Sequence, residues 1–256
     1  MDSVYILVLM VTGAFAGFTG GMLGLGGAFI MTPVQYIVYR NLGLSDHLAV
    51  MTAFGTSLLV VLANAISGSL RHHRAGAVIW KAALVIGVVS SVVAFGGSTL
   101  SAHLPGHVLR IAFGIVLLLA GVRMVTAKTP DEPKDMVDNP WVWGLWALPI
   151  GLVSGIFGVG GGVVMIPVFV LALKFPVHRA IGTSLAVMLL TSLGGIAGYI
   201  VNGLGVAGRI HGAGGRGGGP QAAPQAAPLP LHRHPRLHEP ADDGGARLAR
   251  LAYLSP

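Results

Sequence analysis

Gly17-Phe18-Thr19-Gly20-Gly21-Met22-Leu23-Gly24-Leu25-Gly26-Gly27 lies inside a run of 37 residues, Ser3–Tyr39, without a single Asp, Glu, Lys or Arg. As one helix that run would be about 55 Å long at ~1.5 Å per residue. The hydrocarbon core of a bilayer is only about 30 Å thick. The segment must therefore break, and Gly24, Gly26, Gly27 and Pro33 are where a helix breaks most easily. The phrase returns as Gly151-Leu152-Val153-Ser154-Gly155-Ile156-Phe157-Gly158-Val159-Gly160-Gly161. At an offset of 134 residues, glycine meets glycine at 17/151, 21/155, 24/158, 26/160 and 27/161, Met31 meets Met165, and Pro33 meets Pro167. The second copy lies in the uncharged stretch Asn139–Leu173, which poses the same problem of length.

The rest of the chain is membrane-like. It is 54% hydrophobic and 10% charged, against about 25% charged in soluble domains. Long apolar runs read as spans, and three simpler ones follow the first break, roughly His47–Gly68, Ala77–Leu100 and His107–Val125. A further span, Ala180–Val201, follows the second break. Ala53-Phe54-Gly55-Thr56-Ser57-Leu58 recurs as Ala180-Ile181-Gly182-Thr183-Ser184-Leu185 at an offset of 127, so each half has a broken glycine segment, a loop, and a helix opening near Gly-Thr-Ser-Leu. Counted as four spanning elements per half, the repeats are expected to be parallel, about an axis along the membrane normal. The fold class is an all-α polytopic membrane protein of two parallel repeats of glycine-broken helices, the second incomplete. Residues 1–125 form the first repeat, 126–140 a polar linker, 141–202 a truncated second repeat, and 203–256 a low-complexity tail. The Gly/Ala/Pro/Arg composition of that tail cannot bury a core; it reads as disordered, and as the product of a shifted reading frame or of a truncation.

Basic residues in short loops set orientation. Arg71, Arg74 and Lys81, with Arg123, Lys128 and Lys134, put the N-terminus, the linker and the tail in the cytoplasm; the loops at Arg40, His103–His107 and Lys174–Arg179 then face outward. Trp141, Trp143 and Trp146 are placed as an interfacial aromatic belt. Asp2 stands where a signal peptide carries basic residues, so the first span is expected to be retained. Absence of cysteine excludes disulfides, thiolate metal sites and thiol nucleophiles. The scattered histidines suggest no metal centre, and the arginines lack the stacking platform of a nucleic-acid site. Neither glycine phrase continues into a nucleotide-binding motif, and no cofactor is expected.

The spans hold no carboxylate, which argues against a cation pathway and suits an anion. An anion leaving water needs donors, and a broken helix supplies backbone N–H groups at the positive end of its dipole. Gly24, Gly26, Gly27, Gly158, Gly160 and Gly161 are the candidate cradle, because glycine permits φ > 0 and lets a ligand reach the backbone. Thr56, Ser57, Thr183 and Ser184 could add hydroxyl donors, or bond carbonyls one turn earlier. Gly17, Gly21, Gly151 and Gly155 fit close helix packing better. Arg110 and Lys81 are expected to snorkel to opposite interfaces.

The paired Gly-x-x-Gly-x-Gly-Gly phrases at Gly21–Gly27 and Gly155–Gly161, together with the paired Gly-Thr-Ser-Leu phrases, resemble the sulfite exporter TauE/SafE family over residues 5–202. The resemblance implies an inner-membrane, multi-pass carrier of roughly eight helices for small anions such as sulfite or an organosulfonate, not an enzyme. This chain departs from that pattern after Val201, where a seventh and eighth helix would follow. Alternatives are a passive anion channel and an inactive truncated fragment. An intramembrane serine protease built on Gly182-Thr183-Ser184 is remote, since no histidine base lies in mid-span. Its partners are a small anion, the lipid bilayer and, as an option, further copies of itself.

Overall fold

A computed structural model describes residues 3–126 and 136–214, with the helix path alone for 124–125 and 204–214. Among the described residues, eight α-helices form: α1 (Ser3–Leu23), α2 (Ala28–Asn41), α3 (Asp46–Arg74), α4 (Trp80–His103), α5 (Gly106–Thr126), α6 (Pro140–Phe157), α7 (Gly162–Pro167) and α8 (Val177–Gly214). A π-helical turn, Val168–Ala172, prolongs α7. Six of these helices are long and apolar enough to cross a bilayer; α2 and the α7–π segment are not. The membrane body is one packing unit ending at Arg209, and Ile210 begins a second. The backbone of α8 is helical past Val201 to Gly214, while the rest of the low-complexity tail, 215–256, lies outside the described residues.

Both breaks form where the glycines predict, and with the same backbone. Gly24, Gly26 and Gly27 take φ of 70°, 74° and 83°; Gly158, Gly160 and Gly161 take 65°, 68° and 80°. Three left-handed residues in four stop a right-handed helix. Here they also reverse the chain. The backbone of Gly27 lies against Ala16 and Gly20 of α1, and Met31 reaches Gly13, so α2 runs back along α1. The 14 residues of α2 make about 21 Å of helix, a return leg and not a span. The second hairpin does the same: the Val137 N–H, just before α6, donates to Leu173 O at the end of the π turn, 3.2 Å away.

This reversal inverts the repeats, where the count of spans predicts parallel ones. A hairpin makes no net crossing, so α3, α4 and α5 leave an odd number per half, and the second half starts on the opposite face. The crossing of α3 and α8 shows it directly. Gly68 packs under Leu185, and Gly195 under Leu58. These two contacts are images of each other at the 127-residue offset, on antiparallel helices, as a two-fold axis in the membrane plane requires. No counterparts of α4 and α5 follow α8 among the described residues.

One face carries the N-terminal end of α1, Arg40 and Arg110. It also holds His47, whose Cα lies against Gly106, and Asn202, whose Nδ2 donates to Thr99 Oγ1 at 3.1 Å. The opposite face carries Arg71 and Arg74, with Lys81 paired to Asp138 at 3.3 Å. The segment Lys174–Arg179 lies on this Arg74 face, not with Arg40 as the unbroken-span reading requires, because the α6–α7 hairpin returns to where it began. For the same reason the start of α1 lies opposite Arg74. Of the three tryptophans, Trp141 is exposed and Trp146 borders on it, but Trp143 is buried, its Nε1 donating to Val137 O at 2.8 Å. It is part of the core and not of an interfacial belt.

Close packing makes α4 the clamp of the second hairpin. Gly155 lies directly on the Ala94 carbonyl oxygen, and a Cβ on Gly151 would come within 2.8 Å of Ser90 Cα. Small residues allow such backbone approach in lipid, where apolar burial gives little drive. Their counterparts on α1 are looser: a Cβ on Gly17 would meet only Asn64, and one on Gly21 nothing within 4 Å. Gly155→Leu should therefore cost about 1–3 kcal/mol or more through overpacking, and Gly21→Leu close to nothing. Thermal melts of the two variants in detergent check this. The face assignment predicts that Lys174→Cys and Arg74→Cys react with an impermeant maleimide from one side of the membrane, and His103→Cys from the other.

Candidate functional site

The two breaks meet inside the protein. A Cβ on Gly26 would lie 2.9 Å from Met188 Sδ and 3.1 Å from Val61 Cγ1; Gly160 also packs on Val61, and Gly162 on the Met188 methyl group and on Leu25. Val61 and Met188 are themselves partners at the 127-residue offset, so the breaks join at the pseudo-two-fold axis. Gly24, Gly26, Gly27, Gly158, Gly160 and Gly161 are all buried. The breaks that carry these six candidates meet, with Gly26 and Gly160 against the same Val61, while Gly158 packs on Phe54 and Gly161 within its own hairpin.

The four hydroxyl candidates scatter. Ser184 Oγ donates to Gly24 O at 2.9 Å, sharing its proton with Ile181 O at 2.8 Å, so it holds the first break. Ser57, its sequence counterpart, instead donates to Gln35 Oε1 at 2.7 Å and bonds Thr32 Oγ1 at 2.7 Å. Thr183 Oγ1 accepts the Ile79 N–H at 3.1 Å and so ties the α3–α4 loop to α8. Thr56 Oγ1 donates to Thr52 O at 2.7 Å, one turn earlier, and borders a cavity of about 410 Å³ on the Arg110 face, between α3 and α8.

Sequence reading missed Asn64, whose Nδ2 donates to Gly26 O at 2.9 Å. With Ser184, it fixes two carbonyls of the first break. The amides are treated differently. Leu25 and Gly26 N–H fold back on Gly20 O, at 3.1 and 3.3 Å. Ala28 and Phe29, the first two residues of α2, have no intrahelical acceptor, and the N-cap Gly27 has no side chain to offer one. The same holds for Gly162 and Val163 behind Gly161. Carbonyls tied down and amides unspent make the junction rich in donors. Ser154, one turn before Gly158, was also missed. Its buried Oγ has no partner among the described residues. Thr32, Gln35 and Asn64 were visible as polar residues in uncharged stretches, though nothing in their spacing named their partners.

Arg110 does reach the interface, but not into water alone. It lies 3.0 Å from Asp46 Oδ1 and 2.5 Å from the Tyr36 hydroxyl, half exposed. Lys81 lies exposed at the opposite interface, 5.7 Å above the Trp143 ring.

The profile of the family described as Sulfite exporter TauE/SafE matches residues 9–224, which is most of the chain. The chain belongs to the TauE/SafE family. Among TauE/SafE-like relatives, it is 34% identical to a probable membrane transporter protein of Methanocaldococcus jannaschii, over 75% of this chain and 72% of that one. It is 31% identical to a probable membrane transporter protein of Xylella fastidiosa, over 70% and 68%. YunE of Bacillus subtilis, another probable membrane transporter protein, is 26% identical over 77% and 79%. No solved structure matches. The family match ends at residue 224, further along the chain than the paired motifs reach.

The hydroxyl bonds separate supports from bystanders. Ser184→Ala leaves the buried Gly24 carbonyl without its donor and should cost about 0.6 kcal/mol, the mean for hydrogen bonds within a membrane protein, and no more than about 1.7 kcal/mol. Thr56→Ala, which loses mainly a bond to its own helix, should be close to neutral. Unfolding of both variants in mixed micelles measures the difference.

Proposed function

We propose that this TauE/SafE membrane transporter exports a small oxyanion, sulfite or an organosulfonate, by alternating access. The observation that carries the reading is the donor-rich junction at the pseudo-two-fold axis: two helix starts with unspent amides, no carboxylate nearby, and break carbonyls held by Ser184 and Asn64. A tetrahedral or pyramidal oxyanion accepts several hydrogen bonds at once, and a helix N-terminus adds a positive end without a full charge that would trap it. The hairpins enter from opposite faces, so rocking one half against the other would expose the junction to each side in turn.

The basic residues support an orientation. Arg71, Arg74, Lys81, Arg123, Lys174 and Arg179 lie toward one face, with Arg40 and Arg110 toward the other. The positive-inside tendency then puts the Arg74 face in the cytoplasm and the start of α1 outside, in a cell inner membrane.

Purified protein in liposomes loaded with sulfite should give saturable efflux, whereas unsaturable conductance would favour a channel. Gly26→Val and Gly160→Val each place a branched side chain at positive φ against Val61, and should abolish that efflux. Gel filtration of both variants distinguishes loss of transport from loss of fold. Unchanged efflux in both would overturn the glycine site.

A further inference from the structure

The two breaks share a backbone, but their return legs do not share a surface. On α2, Thr32, Gln35, Tyr36 and Tyr39 stand at i, i+3, i+4 and i+7, which puts them on one face of the helix. That face meets α3. Thr32 and Gln35 share Ser57, each at 2.7 Å. The Tyr36 hydroxyl donates to Asp46 Oδ1 at 2.6 Å, and Tyr39 OH lies 3.4 Å from Thr56 Oγ1. At the matching positions of the second hairpin stand Ile166, Phe169, Val170 and Leu173. Apolar packing holds that hairpin in place, so the fold does not need a polar seam to dock a return leg. Polar side chains inside a membrane are costly and mark pathways and sites.

The seam also has direction. It leads from Ser57, which is fully buried, toward Asp46 at the start of α3, where Arg110 closes it. Gln35 is only 4% exposed. Its Oε1 takes the Ser57 proton, while its amide nitrogen, with two protons to give, donates to no described residue. An amide whose protons have no partner within the protein is free to donate to an acceptor that comes and goes. The hydroxyls of Thr32 and Ser57 can turn to donate as well. At the mouth, the Arg110 guanidinium attracts anions, and Asp46 beside it keeps the site from holding them tightly.

We infer that the α2–α3 seam is the route by which an oxyanion passes between the central breaks and the Arg110 face, with Gln35 donating to it on the way. The inference rests on the transport reading above, and makes the route a property of the first hairpin alone. The matching leg of the second hairpin is lined by hydrocarbon side chains and gives an anion no donors.

The chain has no cysteine, so single cysteines report without background. Gln35→Cys and Thr32→Cys are to be compared with Phe169→Cys and Ile166→Cys in liposomes holding the full chain. The probe is the anionic reagent 2-sulfonatoethyl methanethiosulfonate, read by mass. Ile166 is less buried than Thr32, so in that pair static exposure does not favour the first hairpin; Phe169 is fully buried against 4% exposure at Gln35. The expected result is reaction at 35 and 32 at least about tenfold faster than at 169 and 166, as transient opening of one seam requires. Equal rates in the two hairpins would overturn the route. If Gln35→Cys does not accumulate, the Thr32/Ile166 pair decides alone. Sulfite efflux by the unsubstituted protein is measured in parallel. Efflux with equal labelling sinks the route and leaves the transport reading standing; the labelling contrast without efflux sinks the transport reading and the route with it, leaving only anion access to the seam.

Discussion

Hydrocarbon offers no hydrogen bonds, so any chain that interrupts a helix inside the membrane must satisfy the freed backbone from within. This protein interrupts two. The rest of the architecture follows from how those breaks are housed. Three left-handed glycines turn each chain back on itself, and the turned chain must then lie against something that answers its exposed peptide groups. For the first break the answers are Ser184 and Asn64, from α8 and α3. Those two helices cross at the centre because each carries the groups and the small residues that the breaks require. The long helices exist to frame the short ones.

Much of this was legible in the residues. The glycine phrases, their 134-residue spacing and the impossibility of fitting 37 uncharged residues into one crossing located both breaks to the residue. The paired Gly-Thr-Ser-Leu phrases located α3 and α8. What spacing could not say is whether the chain continues or reverses at a break. Positive φ allows either, and the answer depends on contacts such as Gly27 on Ala16 that only the folded chain makes. One wrong choice there propagated: it made the repeats parallel, and it moved Lys174 and the N-terminus to the wrong sides of the protein. The hydroxyl pairs illustrate a second limit. Ser57 and Ser184 are identical in sequence context, yet one bonds α2 side chains and the other a backbone carbonyl. Their neighbours differ because Gln35 stands where the second hairpin has Phe169, and local phrases do not record what lies opposite.

Duplication explains the likeness of the halves, and the differences show where the halves have parted. The second hairpin is apolar along its return leg, and its tip is packed by Phe54, Phe113 and Phe157, with ring centroids 5.5–6.1 Å apart. The first hairpin spends its return leg on hydrogen bonds. Sheer hydrophobic packing is not directional, whereas hydrogen bonds hold one geometry and are lost when it changes. The return leg of one half is therefore held by non-directional contacts, that of the other by contacts that fix one geometry.

The glycines of α1 and α6 also set the mechanics of the two halves. Gly151 and Gly155 press α6 against the backbone of α4. The equivalent Gly21 faces open space, and the buried share of the span is 11% in α1 against 39% in α6. A segment with few buried contacts has a low free energy of local opening. Among the described residues, the first hairpin thus hangs like a door with a free edge, its hinge along α3. Whatever lies against that edge in the bilayer therefore bears on the first break.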